Sequence, residues 1–192
     1  MSDSIARNMG AAARVMLGDG RAAADVETGA AAVRFSLLGV VLALVMDAGI
    51  MSAGIAENAG VSRATAMVTL CVLGLLNYAA AVATMLVLTR APEHRARFSR
   101  WFVAQNWGEA ALSAALIVPK WIYVSLPPVR VNGAEVSGSP LITIVIVFGV
   151  AIASFVAHYR LAHHVLGVSG VRAFWMVTAA FAAAALATAV FA

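Results

Sequence analysis

The chain has 192 residues, of which 62% are apolar and 11% are charged, with a mean hydropathy of +0.92. Because a soluble domain carries roughly 25% charged residues, this composition excludes an ordinary soluble fold and indicates lipid as the solvent. The formal net charge of +4 does not indicate nucleic-acid binding, because the arginines flank apolar runs, where they orient membrane helices. A single cysteine, Cys71, excludes a disulfide framework and a thiolate metal site built from this chain alone.

The first segment, residues 1–32, is predicted to be a cytoplasmic amphipathic segment that does not cross the membrane. Apolar side chains at three- and four-residue steps predict a helix over residues 3–28, broken at Gly18-Asp19-Gly20. A basic edge on this helix can lie on anionic lipid headgroups, and it consists of Arg7, Arg14 and Arg21. The alternative interpretation is a solvated, partly frayed N-terminus.

Residues 33–192 are predicted to form one transmembrane domain. Apolar runs long enough to cross a bilayer lie at 34–53, 64–89, 140–157 and 171–192. A fifth span at 102–126 is also predicted, although it contains several polar residues and a proline: Gln105, Asn106, Glu109, Pro119 and Lys120. Pro127-Pro128 and the turn dipeptide Asn132-Gly133 predict a loop over 127–139. The predicted fold is an all-α membrane protein with five transmembrane helices and an interfacial N-terminal helix.

The arginines predict the orientation of the five spans. One side of the membrane receives ten Lys or Arg residues, in the segments up to Arg34, at 90–100 and at 158–172, whereas the other side receives two, Arg63 and Arg130. Positive residues accumulate in cytoplasmic loops. We therefore expect a multi-pass protein of a bacterial inner membrane, with a cytoplasmic N-terminus and a periplasmic C-terminus.

Asp47 and Lys120 are the candidate intramembrane ion pair. Both are expected in the outer half of the bilayer on helices that run in the same direction, so the lysine can reach the carboxylate. Ionisable groups at this depth cost about 2.5–3.5 kcal/mol or more, and the functional interpretation of the pair is a proton or ion relay. The structural interpretations are favoured: an ion pair without a role in transport, or a Lys120 side chain that reaches the outer headgroups beside Trp121.

Other polar residues in the predicted spans are candidates for a pathway or for helix contacts. Glu109 lies near the inner boundary and is expected to face Arg100, Arg34 or water. Asn77 and Tyr78 lie in the middle of a span and can hydrogen-bond to neighbouring helices, where such bonds contribute about 0.6 kcal/mol each. Cohesion of the bundle is the interpretation favoured for these residues.

The histidines and arginines of the cytoplasmic side do not predict a metal or haem site. His158, His163 and His164 are expected in a cytoplasmic turn, and their spacing does not place two ligands on one helix face. No metal and no cofactor are predicted. A basic face for anionic lipid or a partner is predicted instead, comprising Arg7, Arg14, Arg21, Arg95, Arg97, Arg100 and Arg160.

Two short motifs carry a resemblance to a known family. FVAQNW at 102–107 opens the third predicted span, and RLAHHVLGVSG at 160–170 leads into the last one. With a short cytoplasmic N-terminal segment before five spans, the chain resembles the bacterial inner-membrane relatives of the Yip-type family. The resemblance implies a five-helix bundle without established catalysis, acting in membrane organisation or protein association. The chain is richer in alanine than this family's pattern, and no functional residue is carried over.

The sequence contains no Walker, dinucleotide-binding, nucleophile-elbow or zinc-protease motif, so we expect no enzymatic activity. The first functional hypothesis is a scaffold or accessory subunit that packs laterally against lipids and against another membrane protein or a second copy. The alternative is a small oligomeric transporter or channel that uses Asp47, Glu109 and Lys120. An intramembrane enzyme or redox subunit that uses the histidines is a third hypothesis.

Overall fold

The computed structural model describes residues 2–126, 128–131, 134–137 and 140–191. The elements, in chain order, are α1 (Ser2–Leu17), a 3₁₀ helix (Gly20–Asp25), α2 (Ala30–Ala59), α3 (Arg63–Leu88), α4 (Pro92–Ala115), α5 (Ile117–Ser125), β1 (Pro128–Val131), β2 (Ala134–Ser137), α6 (Pro140–Leu166) and α7 (Gly170–Phe191). Within these described ranges, four helices are long and apolar enough to cross a membrane: α2, α3, α6 and α7. The structure thus agrees with the helical, multi-pass membrane protein that the composition predicts.

Five helices pack in a closed ring, in the order α2, α3, α7, α6, α4 and back to α2. The short helix α5 follows α4 and also packs against α2 and α6. Large apolar side chains remain exposed on the outer surfaces of the four long apolar helices, for example Leu42, Leu75, Phe148 and Trp175. An apolar surface of this extent suits hydrocarbon rather than water.

The segment predicted as the third span forms two helices, α4 and α5, that are separated only by Leu116. Pro119 accounts for the interruption, because its ring clashes with the carbonyl group of Ala115, four residues earlier, and it has no N–H to donate. Backbone hydrogen bonds nevertheless continue on either side of the interruption. The Leu116 N–H donates to the Leu112 carbonyl oxygen over 2.9 Å, and the Lys120 N–H donates to the Leu116 carbonyl oxygen over 3.1 Å. Lys120 therefore lies on α5, which is joined to α4 by hydrogen bonds on both sides of Leu116.

Helix α6 is longer than the sequence analysis predicts. A turn with His158, Arg160, His163 and His164 was expected after the fourth span, and this expectation is wrong. The helix runs on to Leu166, because residues 158–166 contain no glycine or proline and Gly167, with its φ of 65°, ends it. The three histidines therefore lie on a helix.

The predicted loop at 127–139 contains a short hairpin. β1 and β2 pair antiparallel, with Val129 opposite Val136 and Arg130 opposite Glu135. The predicted turn at Asn132-Gly133 lies outside the described residues.

Helix α1 packs against α4 and α6 through a buried face comprising Asn8, Ala11, Ala12, Val15 and Met16. The segment after α1 is held to it at Glu27, whose N–H donates to Asn8 Oδ1 over 2.9 Å. The Glu27 carboxylate accepts hydrogen bonds from the Ser4 hydroxyl over 2.5 Å and from Asn8 Nδ2 over 3.3 Å. The hydrogen bond from Ser4 lowers the pKa of Glu27 the most, and the Asn8 hydrogen bond and the charge of Arg7 lower it further. Together they outweigh partial desolvation, which raises this pKa. Contact of α1 with lipid stays a prediction.

Candidate functional site

The helix ring surrounds a cavity of about 330 Å³ to which each of its five helices contributes side chains. This volume lies at the lower end of the roughly 300–1,000 Å³ of small-molecule sites. The lining residues of α4 and α5 extend from Trp101 to Lys120, which corresponds to about 28 Å along the helix axis at 1.5 Å per residue. The polar and ionisable lining residues are Asp47, Asn77, Tyr78, Gln105, Glu109, Ser113, Lys120, Ser154 and His158.

One acid–base pair in the cavity joins α2 to α5. Lys120 Nζ donates to Asp47 Oδ1 over 2.5 Å, and the Ser113 hydroxyl donates to Asp47 Oδ2 over 3.2 Å. The lysine side chain is only 17% exposed, whereas Trp121 beside it is 61% exposed. Lys120 is thus turned into the ring, towards the carboxylate that the sequence analysis named as its candidate partner.

A second acid–base pair joins α4 to α6. Glu109 Oε1 lies 2.8 Å from His158 Nε2 and accepts a hydrogen bond from Gln105 Nε2 over 2.6 Å. His158 Nδ1 lies 2.6 Å from the Ser154 carbonyl oxygen, and a carbonyl can only accept, so Nδ1 carries a hydrogen. The contact between His158 and Glu109 therefore holds one shared proton, on the imidazole or on the carboxyl group.

The partner of Glu109 differs from the one expected. The sequence analysis placed Glu109 opposite Arg100, Arg34 or water, because His158 was assigned to a turn outside the span. The continuation of α6 brings His158 into the ring instead, and there its imidazole contacts the carboxylate.

Neutral side chains tie the helices together around the two pairs. The Tyr78 hydroxyl donates to Asn106 Oδ1 over 2.6 Å, and Asn106 Nδ2 donates to the Ser36 hydroxyl over 2.8 Å, which joins α3, α4 and α2. The Thr188 hydroxyl of α7 donates to Asn77 Oδ1 of α3 over 2.6 Å. Asn77 and Tyr78 thus form hydrogen bonds between helices, as their position in a span suggested.

Two buried polar atoms on residues that line the cavity have no hydrogen-bond partner among the described residues: Trp101 Nε1 and Gln105 Oε1. Both residues are almost fully buried, at 4% and 5% exposure. A buried polar atom that is left unpaired costs about 1–3 kcal/mol, and most such atoms in native proteins are paired. Both atoms have almost no accessible surface, so they lie within the packing of the bundle rather than at the wall of the cavity.

Most arginines of the predicted basic face contact protein groups. Arg97 Nη1 donates to the Leu166 carbonyl at the end of α6 over 3.1 Å, and Arg160 Nη1 donates to the Met16 carbonyl in the last turn of α1 over 2.8 Å. Cations at these positions satisfy terminal carbonyl groups and oppose the negative end of the helix dipole. Arg7 pairs with Glu27, and Arg14 pairs with Asp25. The remaining three differ in exposure: Arg21 and Arg95 are exposed, and Arg100 is half-buried.

The histidines at the end of α6 lie close together without forming a metal site. His163 and His164 are adjacent, with ring centroids 4.8 Å apart, and His163 Nδ1 lies 2.7 Å from the Val168 carbonyl oxygen. In the ranges that the structure describes, no three His, Cys, Asp or Glu side chains are grouped so as to hold a metal ion.

Several cavity residues were missed by the sequence analysis as site residues: Trp101, Gln105, Ser113, Ser154 and His158. A signal for three of them was present, because Trp101, Gln105, Glu109 and Ser113 follow one another at four-residue steps and so share one face of a helix. No protein-family model, curated protein or solved structure matches this chain. The resemblance to the Yip-type family therefore stays a prediction.

Proposed function

We propose that this chain is a five-span membrane transporter that moves protons through the cavity inside its helix ring. The observation that carries the proposal is the presence of two acid–base pairs in the lining of one cavity, Asp47 with Lys120 and Glu109 with His158.

The free-energy cost of placing these ionisable groups inside the membrane favours transport over a purely structural role. A charged side chain near the centre of the bilayer costs about 2.5–3.5 kcal/mol even on permissive scales, and such residues mark ion and proton pathways. A scaffold or accessory subunit does not require charged side chains inside its helix bundle, because lateral association needs only closely packed small residues. Apolar side chains that filled the cavity would also avoid the loss of packing that an internal void entails.

The arrangement of the polar side chains supports proton movement along α4. The Glu109–His158 contact holds one proton between a carboxyl group and an imidazole, and both kinds of group serve as proton donors and acceptors in relays. Ser113 lies one helical turn after Glu109 on α4 and donates to Asp47, so the second pair is reached one turn beyond the first. The positive charge of Lys120 stabilises the Asp47 carboxylate at the far end of this path.

Two features support five spans and the proposed orientation. In the ring, α4 lies between α2 and α6, both of which are apolar enough to cross a membrane. This packing favours a fifth crossing formed by α4 and α5 together. The excess of arginines on one side favours a cytoplasmic N-terminus in a bacterial inner membrane and a C-terminus on the opposite face.

The test is proton flux into proteoliposomes that enclose a pH-sensitive dye, driven by a potassium diffusion potential set with valinomycin. We expect flux above that of protein-free vesicles, and we expect Glu109→Gln to abolish it, because the amide cannot exchange the shared proton. Glu57→Gln is the matched control, since Glu57 is an exposed acid at the opposite end of α2 from Arg34 and does not line the cavity.

Two outcomes would overturn the proposal. One is a wild-type flux equal to that of empty vesicles although the protein is folded and inserted, which would leave the scaffold hypothesis. The other is a flux that Glu109→Gln and Glu57→Gln change equally, because proton movement would then not involve the cavity.

A further inference from the structure

A second cavity lies at the junction of α3 and α4 and shares no lining residue with the cavity inside the ring. It is an open groove of about 650 Å³ between the last turn of α3 and the first two turns of α4. The two helices follow one another in the chain but are not neighbours in the ring, where α2 packs against both of them. Their joined ends therefore leave a space between them, and its volume lies within the roughly 300–1,000 Å³ of small-molecule sites.

Two arginines without a protein partner line this groove. Arg90 follows the last residue of α3 by two positions, and Arg95 lies in the first turn of α4. Both side chains are exposed, and neither guanidinium group has a hydrogen bond or ion pair with any residue that the structure describes. Arg97 and Arg160 differ, because their guanidinium groups donate to carbonyl groups at helix ends. Two cations that line one groove repel each other, so their positions favour an anionic ligand.

The α3 side of the groove is apolar. Leu86 and Val87 are 52% and 50% exposed, and both belong to the apolar run Arg63–Leu88, which is long enough to cross a membrane. Arg90 lies two residues beyond this run, at the height of the lipid headgroups. A free phosphate ion would contact the arginines alone, whereas a phospholipid also places its acyl chains against the apolar side chains. The groove therefore matches a phospholipid in both charge and polarity.

We propose that this groove is a binding site for the headgroup of an anionic phospholipid. Arg90 and Arg95 donate to its phosphate oxygens through their planar guanidinium groups, as in the basic pockets at the ends of membrane helices that bind anionic headgroups. Ser99 lies one helical turn after Arg95 and lines the same groove with a hydroxyl group that has no partner in the described part of the chain, so it supplies a further donor. The site does not depend on the proposed proton transport.

The test is native mass spectrometry of the 192-residue chain in detergent micelles, titrated with phosphatidylglycerol or with phosphatidylcholine that carries the same two oleoyl chains. We expect the first phosphatidylglycerol to bind at least about 5-fold more tightly, because only this lipid has a net negative charge. Arg90→Gln/Arg95→Gln should lower its affinity about 25-fold, since each arginine beside an anionic headgroup contributes about 5-fold. Glycerol 1-phosphate has the phosphate without the acyl chains and should bind roughly 10-fold more weakly or worse.

Arg34→Gln/Arg172→Gln is the matched control, because it removes two charges from exposed arginines that do not line the groove. Its affinity for phosphatidylglycerol should stay close to that of the wild type, and each variant should elute as a single folded species in gel filtration. Equal affinities of the wild type for the two lipids overturn the inference and leave an acidic protein segment as the occupant. An equal loss in the two double variants also overturns it, because the attraction then follows net charge alone. Glycerol 1-phosphate that binds as tightly as the lipid reassigns the groove to a free phosphate ion.

Discussion

At Gly39, helix α2 lies directly against the backbone of α4, and substitution of this glycine by alanine tests the packing of the two helices. A Cβ atom at Gly39 would lie 2.3 Å from the Asn106 carbonyl oxygen, 2.8 Å from its carbon and 3.2 Å from Trp107 Cα. All three are main-chain atoms, so no side-chain rotation can relieve the contact. An ordinary contact starts near 3.4 Å, and the two helices must therefore separate by about 1 Å.

Such overpacking costs about 1–3 kcal/mol, and the separation also stretches the hydrogen bond between Asn106 and Ser36. We expect Gly39→Ala to lower the free energy of unfolding by this amount, measured by denaturant titration in detergent micelles. Gly49 lies on the same helix with no atom within 4 Å of its added Cβ, and Gly49→Ala should be neutral or stabilising by up to about 1 kcal/mol. Equal effects of the two substitutions would refute the close approach of α2 to α4.

Three further predictions concern ion pairs and helix ends. Asp47→Asn and Lys120→Met should each destabilise the fold, and the double variant should recover about 1–3 kcal/mol of their summed cost in a double-mutant cycle; additive effects would argue against the pair. The lowered pKa of Glu27 stabilises the attachment of α1 above pH 4.5, and this stabilisation is lost as the pH falls through the lowered value. Amide exchange of α1 should accelerate there in the wild type, whereas Glu27→Gln should show no such pH dependence. Arg97→Ala should lower the free energy of unfolding by about 1 kcal/mol through loss of the bond to the end of α6, while exposed Arg95→Ala should change it by less than about 0.5 kcal/mol.

The sequence predicts the apolar helices because their signal is local. Each of α2, α3, α6 and α7 has a long, predominantly apolar run, and the backbone groups of a chain in lipid must be hydrogen-bonded within the helix. The bounds of the helices are predicted less well than their existence. Helix α6 continues to Leu166, nine residues beyond the expected boundary, because polar residues mark the membrane surface without ending a helix.

The site is predicted less completely than the helices, because it depends on which helices are neighbours. The depth of Asp47 and Lys120 follows from counting residues, and so does their ability to meet. The contact between Glu109 and His158 does not follow, since it requires that α4 and α6 be adjacent in the ring. The burial of Trp101 and Gln105 likewise depends on the packing of the whole bundle rather than on their own segment.

The closed ring also has a consequence for how the protein is made. Helix α3 emerges early in synthesis, yet one of its two neighbours is α7, and the hydrogen bond between Asn77 and Thr188 joins residues 111 positions apart. At about 5–20 residues per second, this bond has to wait roughly 6–22 s after Asn77 has been added. During that interval the side of α3 that bears Asn77 has no α7 to pack against. A chain that stops before its last helix therefore has a gap in the ring between α3 and α6.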